Sequence, residues 1–491
     1  MKYHVVVIVV VLLISLIVFP LMLFYSLQYF SRAADVHPNI FIDAQQTLGP
    51  IRPIWKSYAQ GGEQSNTQML SNIITKTAAL QPRYIRLDHI YDFYNVVHKN
   101  EDGSLTMSWD QLDKSVCDIY ATGAKPFFSL GYMPPDLSSS HSLIDPPTHW
   151  SDWSYIVQKT IEHYSGTQTT LCGSTTGAAL QDIYYEVWNE PNLDTFGSWS
   201  MKNSAKDYRQ LYAASIQGAI HARNVYRFAI GGPALSSLDS VWMRSFLDYI
   251  SQQKLRLDFI SWHRYAHGSE SFHTDSQTIE SMLSEQKYLQ YRGLPRLITE
   301  WGYDSLNNES LNAPIAAAHT VSAIRNLLDY PFFSVFSFEL RDGPNSNWGI
   351  FKLDGTPKPR YQALLLLNQL LGDRLQVTGE GTYVQAISSK LGNTINTILV
   401  NYDPTSSHSE LVPITFTNLV PGAYKLTIAD VNDTVILDRT FDHVSTQMRI
   451  QIPLTYNGIM HLKTVLLEAA PTSEPLPRSV ITPVNHIQIS P

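Results

Sequence analysis

Cysteine is nearly absent: Cys117 and Cys172 are the two in 491 residues. That excludes a disulfide-stapled scaffold and a cysteine-rich metal centre. The pair forms one disulfide if the body lies outside the cytoplasm, or stays as two buried thiols. Runs of lysine or arginine are missing too, and 35 bases against 43 acids leave a net charge of −8. Nucleic acid is therefore excluded as the main ligand, because phosphate binding needs a concentrated basic face. No glycine-rich dinucleotide fingerprint, phosphate loop or Gly-x-Ser-x-Gly elbow occurs, so no cofactor is expected. His263 and His267 are four apart, but Arg264 stands where a zinc helix needs Glu, so no metal is expected. With 44% hydrophobic and 16% charged residues, wholesale disorder is excluded as well.

One long apolar run is present. From Val5 to Leu27 only Ser15, Pro20 and Ser26 interrupt it. About 20 apolar residues span a bilayer as a helix, whereas a cleaved leader has a shorter core. Residues 1–33 are therefore expected to be an N-terminal hydrophobic helix that anchors the chain. Cleavage at Ser31-Arg32-Ala33-Ala34 is the alternative, giving a secreted protein. Lys2 before the run leans toward an extracytoplasmic body, with membrane contact through this segment alone.

The body repeats strand-like and helix-like segments. Eight short apolar runs recur: Ile54–Trp55, Tyr84–Asp88, Lys125–Leu130, Tyr184–Asn189, Phe228–Gly231, Asp258–His263, Arg296–Thr299 and Phe333–Phe338. Amphipathic segments such as Ser204–Arg223 and Ala313–Leu328 separate them. Eight parallel β/α units predict an α/β fold, a closed (β/α)₈ TIM barrel over residues 36–373. An open doubly wound sheet is the alternative. Beyond that, short strand-like runs separated by Asp403-Pro404, Pro421-Gly422 and Asn457-Gly458 predict a small antiparallel β-sandwich over 374–468. Residues 469–491 read as a loose, proline-rich tail.

Active sites of such barrels sit at the carboxyl ends of the strands. The fourth run ends in Trp188-Asn189-Glu190-Pro191, and Pro191 stops the strand there. The seventh ends in Thr299-Glu300-Trp301. Two carboxyls facing each other across the mouth are the minimum equipment for breaking a glycosidic bond. One gives a proton to the leaving oxygen, and the other attacks the anomeric carbon.

The string Val187-Trp188-Asn189-Glu190-Pro191-Asn192 resembles the acid/base motif of retaining glycoside hydrolases. The closest resemblance is to glycoside hydrolase family 39, with its β-xylosidases and α-L-iduronidases. Tyr84–His89, Lys125–Pro134, Asp258–Tyr265, Thr299–Trp301 and Gly349–Tyr361 resemble further segments of that family in order, over about residues 50–375. The resemblance implies a retaining mechanism with Glu190 as acid/base and Glu300 as nucleophile. It implies that Asn189 donates to the sugar 2-hydroxyl. Glu190 must start protonated, and Glu300 must stay ionised with donors close by, for which Arg86 and Tyr265 are candidates. Arg86 could instead pair with Glu186. His89, Asp88 and His263 are candidates to line the sugar site, Trp301 and Trp348 to stack on a sugar face, and Glu339 to bind substrate or a nearby Arg. Two segments depart from the xylosidase pattern, Leu87-Asp88-His89 and Glu339–Gly349, so the sugar stays open. A carbohydrate substrate is the expected partner. A transglycosylase with the same pair, and an idle carbohydrate-binding barrel, are the alternatives.

Overall fold

A computed structural model describes residues 35–61, 64–65, 67–469 and 488–490. Eight parallel strands close into a barrel. In chain order they are Ser57–Gln60, Tyr84–Leu87, Lys125–Leu130, Ile183–Val187, Phe228–Leu235, Ile260–Tyr265, Arg296–Gly302 and Phe333–Phe338. The last pairs with the first, Phe336 with Ser57 and Phe338 with Ala59, which removes both edges. Seven of the eight expected runs overlap a strand. The exception is Ile54–Trp55, which forms the turn before the first strand, although both residues are buried. Burial alone does not distinguish a packed turn from a strand.

Inside the barrel, side chains alternate along each strand. Ala59, Phe127, Phe259, Leu297 and Phe336 meet as one apolar cluster, flanked by Tyr84 and Tyr184. Each strand's outer face packs on helices such as Trp150–Tyr164, Tyr208–His221 and Pro314–Leu327. The second and third barrel strands are joined by the helix Asp110–Ala121, which carries Cys117. A disulfide links it to Cys172, 55 residues on, with Cα atoms 5.5 Å apart.

Val97–Lys99 and Leu105–Met107 pair as a separate antiparallel hairpin, and the other described strands form one ten-stranded sheet. Its central members are Thr394–Asn401, Val384–Leu391, Asp373–Thr378, Ile40–Pro50 and Glu410–Thr417. Leu426 and Ile428 from one end of the order share a core with Ile414 and Ile450 from the other, so the sheet folds over on itself. Two expectations are corrected. Ile40–Pro50 belongs to this sheet and not to the barrel, which therefore does not begin at residue 36. Ile40, Ile42 and Ala44 are buried in its core, a period of two. This strand also runs parallel to Glu410–Thr417, so the sheet is not wholly antiparallel. Of the expected loose tail, Gln488–Ser490 pairs as an edge strand with Met448–Leu454. Among the described residues no helix is long and apolar enough to cross a membrane. The expected anchor, residues 1–33, lies outside the described residues.

Candidate active site

The polar layer lies one pleat beyond the apolar cluster. Arg86 is two residues on from Tyr84, Glu186 two on from Tyr184, and Thr299 two on from Leu297. Arg86 is fully buried and spends its guanidinium on three acceptors. Nε donates to Glu186 Oε2 at 2.7 Å, Nη1 to Glu300 Oε1 at 2.8 Å and Nη2 to Asn189 Oδ1 at 2.8 Å. Burial alone would depress this group. The carboxylates of Glu186 and Glu300 more than offset it and hold Arg86 above its ordinary value. Thr299 Oγ1 donates to the other oxygen of Glu186 at 2.8 Å. The pairing of Arg86 with Glu186 therefore exists together with its contact to Glu300, not instead of it.

Glu300 reaches this layer through a break in the alternation. The register with the sixth strand shifts between Ile298 and Glu300. Two consecutive side chains, Thr299 and Glu300, thus face inward. Glu300 Oε2 accepts from the Tyr265 hydroxyl at 2.9 Å, so both its oxygens accept from donors that favour the ionised form. Burial pushes this carboxyl upward. His263 and Arg86 pull against that, Glu190 and Asp88 add to it, and the carboxyl stays above its ordinary value. Burial, then the charge of Glu300, keeps the Tyr265 hydroxyl far above its ordinary range and therefore a donor.

Glu190 stands three residues past the fourth strand with φ 40°, and its backbone N–H donates to Ala234 O at 2.9 Å. The left-handed backbone there turns the carboxyl back over the mouth. His263 Nδ1 lies 2.9 Å from Glu190 Oε1 and 3.5 Å from Glu300 Oε2. Burial opposes the imidazolium. Glu300 and Glu190 outweigh burial and raise His263 above its ordinary value, which makes Nδ1 the donor between the two carboxyls. One oxygen of Glu190, one of Glu300 and a nitrogen of His263 all lie within 4.8 Å of one another. Three such atoms could touch a cation. The Arg86 guanidinium, 2.8 Å from Glu300, opposes a second positive charge there.

A sequence model of glycosyl hydrolases family 39 matches residues 38–429. The chain belongs to this family. It is 28% identical over 327 residues to a β-xylosidase of Caldicellulosiruptor saccharolyticus, covering 60% of this chain and 64% of that one. A Geobacillus stearothermophilus β-xylosidase is 25% identical over 335 residues, covering 61% and 64%. The chain thus spans a little under two thirds of the length of these curated relatives. In fold it is similar to a monomeric β-xylosidase from Caulobacter crescentus. The TM-score is 0.70 at 19% identity, covering 88% of this chain and all of that one.

Around Glu190 and Glu300 in this family 39 chain the other candidates divide. Asn189 Nδ2 donates to the Tyr132 hydroxyl at 2.9 Å, and that hydroxyl donates to Asp88 Oδ2 at 3.3 Å. His89 is partly exposed, bonded through Nδ1 to Asp92 at 2.7 Å and stacked on Phe93. Trp348 is partly buried, with its ring beside Phe338, which in turn meets Tyr265. Trp301 is corrected: it is fully buried against Phe272 and His319 on the helix side and offers no face to a sugar. The register shift that turns Glu300 inward sends its neighbour outward. Glu339 is buried, accepting from Gln60 at 3.1 Å and Ser346 at 3.0 Å. Tyr132, Asp92 and Gln60 were not singled out individually. Tyr132 lies in the Lys125–Pro134 segment that carries the family resemblance.

Proposed function

We propose that this protein is a retaining O-glycoside hydrolase acting on β-glycosides or an extracellular polysaccharide by double displacement. The observation that carries the reading is the pair of carboxyls with oxygens within 4.8 Å and unlike partners. Carboxyls about 5 Å apart suit a covalent intermediate, whereas wider spacing leaves room for water and inverts. Glu300, held ionised by Arg86 and Tyr265, attacks the anomeric carbon while Glu190 protonates the leaving oxygen. Water then cleaves the glycosyl ester with Glu190 as base. Glycosylation removes the Glu300 charge, so a basic Glu190 no longer sets two anions side by side. Asn189 is placed by Arg86 and Tyr132 to meet the 2-hydroxyl. The names of the curated relatives favour a β-xyloside. The disulfide supports an extracytoplasmic location, and the Val5–Leu27 run supports a tether there.

The test compares wild type with Glu190→Ala and Glu300→Ala on activated aryl β-glycosides, β-D-xyloside among them, with and without azide. Turnover by wild type is expected, with Glu300→Ala down roughly 10⁴-fold. Azide should rescue Glu190→Ala as the β-glycosyl azide and Glu300→Ala as the α-anomer. Turnover of both variants at the wild-type rate overturns the reading.

A further inference from the structure

Arg360 has no part in the double displacement, yet it is buried among residues that surround Tyr265. It lies at the start of the helix Pro359–Leu367 and is 1% exposed. Burial pushes its guanidinium down to about 10, so it is still a cation at neutral pH. A charge this deep is almost always paired with an acid. Among the described residues Arg360 pairs with no carboxylate, and nearby Asp342 is held by Lys358 at 2.6 Å. Nη2 has no hydrogen-bond partner there. Nη1 makes two bonds, to Phe338 O at 3.0 Å and to Trp348 O at 3.1 Å. The guanidinium also lies over the Trp301 ring, 5.9 Å from its centroid.

Those two carbonyls stand at the two ends of one loop. The eighth barrel strand gives out at Phe338. The chain returns at Trp348, where Glu339 N–H donates to Trp348 O at 3.1 Å and Ile350 N–H to Glu339 O at 2.7 Å. A single nitrogen of Arg360 thus pins the neck of the loop from both sides. Lys358 holds its body, with Nζ donating to Asp342 and, at 2.8 Å, to Asn347 O. The side chains at the neck bear on the nucleophile's donor. Trp348 lies beside Phe338, whose ring meets that of Tyr265, and the charge of Glu339 is felt at the Tyr265 hydroxyl. That hydroxyl donates to Glu300. An apolar side chain of similar volume would fill the same space without burying a charge, but it could not donate to two carbonyls at once.

We propose that Arg360 is a positioning residue, pinning both ends of the 339–348 loop so that Glu339 and Trp348 stay fixed around Tyr265. Its effect on turnover rests on the hydrolase reading, whereas its effect on the loop does not. Wild type, Arg360→Met and Arg360→Lys are compared by aryl β-glycoside kinetics, thermal unfolding and hydrogen exchange of residues 339–348. Arg360→Met should lower kcat/KM about 30-fold, with KM carrying most of the loss. Its Tm should stay within about 3 °C of wild type, because the charge it removes is costly to bury. The loop should exchange about tenfold faster while the barrel strands keep their protection. Arg360→Lys keeps the cation and one nitrogen able to donate twice, so it should recover about tenfold of the lost kcat/KM. Wild-type kinetics or wild-type loop exchange in Arg360→Met overturns the proposal. So does a loss of Tm and protection throughout the barrel, or an Arg360→Lys no better than Arg360→Met, since Arg360 would then serve packing alone. Faster loop exchange in Arg360→Met, with wild type inactive on every aryl glycoside, sustains the pin and overturns the hydrolase reading instead.

Discussion

The floor and the mouth of the barrel share the same strands and lie two residues apart. At the floor are Phe127, Phe259 and Leu297, with Tyr84 and Tyr184 at the margin. One pleat on are Ser129, Ser261, Thr299, Arg86 and Glu186, every one of them buried. An apolar layer needs only volume and fit. A polar layer at the same depth needs each group paired, and Arg86 does most of that pairing. The floor can therefore be altered at the expense of stability alone, whereas altering the mouth changes chemistry and stability together.

Arg86→Met tests this most severely. It leaves Glu186 and Glu300 buried without their cation, so turnover should fall roughly 10³-fold and stability by about 3–5 kcal/mol. Steady-state kinetics and urea unfolding read the two losses. Phe127→Ala at the floor should also lose about 3–5 kcal/mol, while the folded fraction keeps kcat within about threefold of wild type. A large kcat loss there would break the division between the layers. Reducing the Cys117–Cys172 link, or Cys117→Ser, should cost about 2–4 kcal/mol, read as a lower Tm with unchanged KM.

The smallest effect extends the comparison to pH. His461 in the sandwich is held down to about 4, first by burial and then by Lys463. The unfolded chain takes up its proton first, so this stability is present above the ordinary value near 6.5 and is lost as pH falls toward 4. His319, which packs on Tyr402 across the barrel–sandwich seam, is held down to about 3, chiefly by burial. His263 has the opposite sign: raised in the fold, it stabilises below its ordinary value and loses that contribution as pH rises through its folded one. Between pH 7 and pH 5 the sandwich should weaken by about 1–2 kcal/mol through His461. Hydrogen exchange should show its strands opening before those of the mouth, and His461→Gln should remove most of the difference.

The site was legible where chemistry and strand ends coincide. Asn189-Glu190-Pro191 and Glu300 each close an apolar run, and Arg86 and Tyr265 follow from the need to keep Glu300 ionised. Trp301 was expected to stack on a sugar face, but it packs on the helix side against Phe272 and His319. Only the register shift between Ile298 and Glu300 reveals which residue turns outward, and that shift is a relation between two strands. Tyr132 is drawn in by Asn189 and Asp88, both distant in sequence. The barrel strands could be read because each is bounded locally by polar residues. Ile40–Pro50 could not be assigned, because its partners Val377 and Ile414 lie more than 300 residues away.

That strand also determines how the described body would bear a load. Ile40–Pro50 enters the sheet that Ile459–Ala469 later leaves, and the whole barrel is looped out between them. Tension applied from residues ahead of 40 against the end of the sheet would run through sandwich hydrogen bonds alone. The barrel would hang beside that path, mechanically unloaded, so a pull from the amino-terminal side would not distort the mouth.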